Sequence, residues 1–267
     1  MADSVLVVRM ALQLWKSAAH DATRALARNS WVIGLVPLYT VALTFVGGIS
    51  GGLGMAGGLV NYLVLAACVG SFLCVVGESV AHGRPRAAEL GSTFGRLLGP
   101  VASVFFVLWI IGLLLGMLLQ QNPQMAWLAI AVQIGVFVAF NPLPELIQQN
   151  SSASTQGAAL LDEAFRFVRE NALEWLVPLG LMLAPFFLLA PAAGFTVMAR
   201  FGATTALDYA IAAVASLVPL AGPLGQVVAV ALASTLIVWI MLFRGFLFRA
   251  LARGGRRQRI FQVRLGR

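Results

Sequence analysis

Charge is what this sequence has least of. Only 10% of its 267 residues are Asp, Glu, Lys or Arg, against roughly 25% in a soluble domain. A water-exposed globular surface cannot be built from so few charges. Cysteine is nearly absent as well. Cys68 and Cys74 lie on one apolar run, and six residues of helix separate them by about 9 Å of rise, beyond disulfide reach. This excludes a disulfide framework and leaves two core residues. The two histidines, His20 and His82, stand outside any His-Glu-x-x-His pattern, and no serine sits in a Gly-x-Ser-x-Gly turn. Acidic residues do not pair within the apolar runs, so neither a metal site nor a two-carboxylate hydrolase is expected, and no cofactor.

What the chain does contain is apolar surface, at 60% hydrophobic residues and a mean hydropathy of +0.90. Crossing a bilayer takes about 20 apolar residues. Six runs meet that length, at 30–48, 58–80, 97–119, 126–146, 173–198 and 225–246. The expected fold is therefore all-α: a polytopic membrane bundle of about six spans with amphipathic interfacial helices. Its direction is set by arginine. The last run leads into Arg244, Arg249, Arg253, Arg256, Arg257, Arg259, Arg264 and Arg267, and basic residues near span ends are held on the cytoplasmic side. Counting back, Arg9, Lys16, Arg24, Arg28, Arg84, Arg86, Arg96, Arg166 and Arg169 fall on the same side, and Arg200 alone falls opposite. Both termini are then expected inside a bacterial inner membrane. The run at 205–220 contains Asp208 and Pro219 and reads as re-entrant on the outer face. No cleavable signal is expected, because amphipathic residues precede the first apolar run. The net charge of +8 beside membrane-length runs implies anionic headgroups as counter-ions, and no nucleic acid.

The chain divides into an amphipathic segment at 1–29, a membrane domain at 30–246 and a basic tail at 247–267. Within the first two, three helix-plus-hairpin units cover 1–80, 86–146 and 156–246. In the first, Arg9, Gln13, Lys16, His20, Arg24 and Arg28 form a polar stripe opposite Val5, Val8, Leu12, Trp15, Ala19, Ala22 and Leu26, the pattern of a helix in the headgroup plane. Arg86 to Arg96 is a shorter version, with Ala87, Leu90, Phe94 and Leu97 toward the membrane. The third sets Leu161, Phe165, Val168, Ala172 and Trp175 against Asp162, Arg166 and Arg169, and Asp162 can pair with Arg166 four residues on. Arg28 precedes Pro37 by nine residues and Arg169 precedes Pro178 by nine, which suggests an internal repeat whose prolines bend the entering helices. The glycine-rich stretch at 47–58 lacks the Gly-Lys-Ser/Thr of a phosphate cradle. Gly48 with Gly52, and Gly112 with Gly116, are spaced to let helices approach in lipid.

The sharpest local feature is Asn141-Pro142-Leu143-Pro144-Glu145. Two prolines one residue apart stop a helix and free its carbonyls, and such breaks hold ions or substrates in many transporters. The plainer reading is a terminated helix with Glu145 in headgroup water. Glu78 and Arg244 lie near the same depth, and Arg244 is expected to pair with Glu78 or Glu145. Asn61, Gln133 and Gln226 are the mid-span polar residues, suited to hydrogen bonds between helices or to a substrate path. Arg9, Lys16, Arg24, Arg28, Arg249, Arg253, Arg256, Arg257 and Arg259 are the expected headgroup contacts.

The stretches Trp15-Lys16 through Ala25-Leu26-Ala27-Arg28-Asn29-Ser30-Trp31 and Leu160-Leu161-Asp162-Glu163-Ala164-Phe165-Arg166-Phe167-Val168-Arg169-Glu170-Asn171, with the basic end, resemble YciC-like bacterial membrane proteins. They are also similar to the membrane domain attached to some glycerophosphodiester phosphodiesterases. That resemblance implies a six-span helical fold without catalytic residues of its own, since the phosphodiesterases carry their chemistry on a separate domain. Two functions remain: a non-enzymatic scaffold or accessory subunit that binds lipid and docks on a partner membrane protein or a second copy, or a transporter of small molecules or lipids using the break at Pro142 to Pro144.

Overall fold

A computed structural model describes residues 2–149, 157–189 and 222–253. These residues are mostly helical, joined by short turns, with no strand among them. The helices are α1 (Ala2–Arg28), α2 (Leu35–Ser50), α3 (Gly54–His82), α4 (Leu90–Thr93), α5 (Leu98–Gln121), α6 (Ala126–Phe140), α7 (Leu143–Gln149), α8 (Gly157–Leu189) and α9 (Pro223–Ala252). Among the described residues, four stretches are long and apolar enough to cross a membrane: Ser30–His82, Leu98–Gln121, Trp127–Gln149 and Pro223–Ala252. The run at 205–220, Arg200 and the tail beyond Arg253 lie outside the described residues, as does the end of the expected fifth span.

The first stretch is an antiparallel hairpin. Gly54, at a φ of +56°, turns the chain at the point where a side chain would be strained, and α3 returns along α2. Gly57 meets the Ser50 carbonyl so closely that a side chain there would overlap it. Farther along, Tyr39 Oη lies 2.8 Å from Ser71 Oγ, which lies 2.6 Å from Thr93 Oγ1. Thr93 donates its proton to the Leu90 carbonyl at 2.7 Å, so it accepts from Ser71, and Ser71 accepts from Tyr39. At the open end Asn29 Nδ2 donates to the carbonyls of Ala25 and Gly83, each at 3.0 Å.

Helix α9 is the hub. It packs most extensively against α1 and also touches α2, α3, α7 and α8. Gly245 meets Val80 of α3 with no room for a side chain, and Trp239 Nε1 donates to Thr23 Oγ1 of α1 at 3.0 Å. A ring cluster of Phe167, Trp175 and Phe248 joins α8 to α9, with Phe167 and Phe248 stacked at 4.4 Å between centroids. By contrast α5 leaves Phe106, Trp109, Leu113, Leu114 and Met117 exposed. Such an apolar exterior suits lipid rather than water.

Several sequence-based expectations need correction. The prolines do not make the bends. Pro37 falls in the first turn of α2, where a missing N–H is harmless, and the non-helical residue inside α8 is Asn171, at φ −125° and ψ 24°. Asn29 has nearly the same conformation, φ −126° and ψ 42°. Each donates its amide to the carbonyl four residues back, competing with the helix ladder. Arg86 to Arg96 is not an amphipathic helix lying on the membrane, but a turn at Ala87–Glu89 followed by the four-residue α4. Gly95 at φ +88° breaks it, and Leu97 is buried against Gly70. Asp162 and Arg166 do not form one of the ion pairs among the described residues. Gly48, Gly52, Gly112 and Gly116 have nothing within contact range, while Gly57, Gly70, Gly77 and Gly245 make the close approaches.

Candidate functional site

The Asn141-Pro142-Leu143-Pro144-Glu145 break is real and is filled by arginine. Helix α6 ends at Phe140 and α7 begins at Leu143, as two residues without an N–H require. The carbonyl of Asn141 accepts a short hydrogen bond from Arg244 Nη2. Glu145, only 2% exposed, accepts from the same guanidinium through both oxygens, with Nε to Oε1 at 2.8 Å and Nη2 to Oε2 at 2.9 Å. Arg244 also lies over the indole of Trp175, 5.5 Å from its centroid, within cation–π range. One cation therefore ties α7, α8 and α9 together. Glu145 is not in headgroup water.

Of the two expected carboxylates, Arg244 takes Glu145. Glu78 is held instead by Arg96 at 3.1 Å, with half of the arginine side chain exposed. The mid-span polar residues are not brought together. Asn61 and Gln226 are exposed, and Gln133 lines a small cavity of about 200 Å³ with Gly112 and Gly116. Arg249 Nη1 donates to the Val80 carbonyl near the end of α3, 2.8 Å away. Arg9, Arg24, Arg28 and Arg253 are exposed, and Arg256, Arg257 and Arg259 lie outside the described residues.

Helix α1 has three faces where two were expected. Its polar stripe stands as expected, but Ala11, Ala18, Ala22 and Ala25 form a buried small-residue edge against α9. Val8 and Leu12 remain more than half exposed beside the basic residues. Trp15 Nε1 donates to the Glu174 carbonyl of α8 at 2.9 Å. That carbonyl is four residues before Pro178, the one a proline releases from the helix ladder.

A larger cavity of about 430 Å³ lies between α2, α3, α5, α6, α7 and α9. Its walls are apolar except near Asn141 and Arg244 and at Tyr39 and Thr40, whose hydroxyls are already bonded to Ser71 and to the Val36 carbonyl. Asn141 Oδ1 is buried without a hydrogen-bond partner. No known protein family, curated protein or solved structure matches this chain. Function must therefore come from the chemistry of these groups. Sequence reasoning missed Trp175, Trp15 with Glu174, and Asn29 with Asn171; the Asn at each helix-to-span boundary was the available signal.

Proposed function

We propose that this chain is a non-enzymatic integral membrane scaffold or accessory subunit, which binds lipid and docks on a partner membrane protein or a second copy. It sits in the bacterial cytoplasmic membrane as a six-span bundle with both ends inside. The likeness to YciC-like membrane proteins belongs to the same proposal. The observation that carries the reading is how the membrane-depth charges are disposed. Arg244, Glu145 and the Asn141 carbonyl satisfy one another, Glu78 and Arg96 do likewise, and Asn61, Gln133 and Gln226 do not converge on a polar path. What is left facing outward is apolar: the outer face of α5, with Val8 and Leu12 of α1.

The test is purification in gentle detergent with the mass of the complex measured. Recovery of a stoichiometric membrane-protein partner or dimer, abolished by Trp109→Ala with Leu114→Ala on the outer face of α5 while the chain stays folded, supports docking. A lone chain before and after substitution sinks it. The cavity beside the α6–α7 break favours a second reading, a lipid or small-molecule permease. Flux across vesicles that changes in Glu145→Gln supports it, and unchanged flux removes Glu145 from any mechanism.

A further inference from the structure

Three arginines lie between α3 and α5, and two of them hold carboxylates: Arg86 pairs with Glu89 at 3.3 Å and Arg96 with Glu78 at 3.1 Å. Arg84 joins no ion pair among the described residues, and neither does Arg28 at the end of α1. The fold sets these two together. Asn29, next to Arg28, is 3% exposed, and its Nδ2 donates to the carbonyl of Gly83, next to Arg84, at 3.0 Å. Arg28 Nη1 lies 3.9 Å from the point where a side chain on Gly83 would begin. Gly83 turns the chain at a φ of +78°, as the residue after a helix often does, and Pro85 on the other side of Arg84 is buried. Both neighbours of Arg84 are thus held, while the side chains of Arg28 and Arg84 are exposed.

Capping does not account for the pair. A cation is favoured beside the last carbonyls of a helix, but Asn29 Nδ2 serves the Ala25 and Gly83 carbonyls and Arg249 Nη1 serves that of Val80. Arg28 commits only Nε, to the Arg24 carbonyl at 3.3 Å. Two cations brought together repel, and an anion shared between them relieves the repulsion.

We propose that Arg28 and Arg84 form a site for the phosphate of an anionic phospholipid, one guanidinium on each side of its oxygens. This deepens the lipid-binding part of the proposed function and rests on it. The planar guanidinium fork matches phosphate oxygens two at a time. Arg28 stands two residues before the membrane-length stretch Ser30–His82 and Arg84 two residues after it, a position at headgroup level, where lipid phosphates are the anions at hand. A zwitterionic head brings its own cation beside two others, which favours phosphatidylglycerol over phosphatidylcholine. Inorganic phosphate presents the same oxygens, so the test separates the two sources.

The test uses the full chain in detergent, with lipid retention read by native mass spectrometry for dioleoylphosphatidylglycerol, dioleoylphosphatidylcholine and inorganic phosphate. Tighter retention of one phosphatidylglycerol than of phosphatidylcholine or phosphate is expected. Arg28→Gln and Arg84→Gln should each weaken it about tenfold, the scale of one lost charge-assisted hydrogen bond. Lys16→Gln removes the same charge from the exposed stripe of α1 and should leave that lipid in place. Arg28→Lys keeps the charge but loses the fork, and should weaken retention as well. Should an arginine variant fail to fold, phosphatidylglycerol with a photoreactive head decides on the unsubstituted protein: crosslinks at 28–30 or 82–86 support the site, and crosslinks confined to other residues overturn it. Equal weakening by Lys16→Gln, unchanged retention in both folded glutamine variants, or inorganic phosphate held in preference to the lipid also overturns it. If the site fails while phosphatidylglycerol is still retained elsewhere on the chain, the lipid-binding reading stands and only this inference falls; if no phospholipid is retained at all, both fall.

Discussion

Arg244 shows how much one side chain can fix. Its guanidinium, with a side chain 12% exposed, faces a carboxylate of 2%, and neither group has water to fall back on. Truncating one partner strands the other, a loss of about 3–5 kcal/mol for a buried pair. Arg244→Met and Glu145→Met should each lower thermal stability in detergent strongly, and the double variant should recover most of the loss. A double variant as unstable as the sum of the singles would show that the two side chains do not act as a pair. The sequence showed that Arg244 needed an acidic partner, because three charges stood near one depth in an apolar chain. The choice between Glu78 and Glu145 was not legible. It depends on Arg96, a loop residue eighteen positions from Glu78 that Gly95 and α4 bring back over the end of α3.

At the level of helices, the boundaries were legible where backbone chemistry decides and misread where packing decides. Two prolines in three residues fix the α6–α7 break whatever surrounds it. Pro178 was read as a bend, yet α8 is non-helical at Asn171, seven residues earlier, and the carbonyl that Pro178 releases is used by Trp15. Trp15→Phe should therefore destabilise the chain by about 1 kcal/mol. In a Pro178→Ala background the loss should shrink, because the restored amide competes for the Glu174 carbonyl. Equal losses in both backgrounds, measured by thermal unfolding, would refute the link. Glycine spacing misled for a related reason: a four-residue interval describes one helix, whereas close approach needs a second. Gly245→Leu should disrupt the contact with Val80 by about 1–3 kcal/mol, as overpacking does. Gly116→Leu faces open space and should leave the fold intact; comparable destabilisation by the two would mean that the helix contacts are assigned wrongly.

On the scale of the whole molecule, the last turns of α9 reach α3 through Arg249 and α8 through Phe248. The membrane class was legible from composition and helicity from apolar runs of about 20 residues, since lipid admits only helices or closed barrels and a barrel strand needs about half that length. The sequence set Arg244 apart as a paired charge and grouped Arg249 with the tail. Arg244 holds the core and Arg249 donates to the Val80 carbonyl; in the proposed function the headgroup attraction of this end of the chain rests on Arg253 and the five arginines beyond it, Arg256, Arg257, Arg259, Arg264 and Arg267. Each basic group near an anionic surface contributes about 1 kcal/mol, and that attraction decays over about 10 Å at 0.1 M salt but about 3 Å at 1 M. A peptide of residues 253–267 should bind phosphatidylglycerol vesicles at low salt and lose that binding steeply as salt rises, with little affinity for zwitterionic vesicles. Arg249→Ala in the full chain should lower thermal stability without changing the salt response, because its guanidinium serves α3 rather than lipid. Salt-independent binding of the peptide would transfer the tail from headgroups to a folded protein contact. The proposed cytoplasmic placement faces its own check in spheroplasts: protease added outside should leave the tail whole, and its removal there would invert every assigned face.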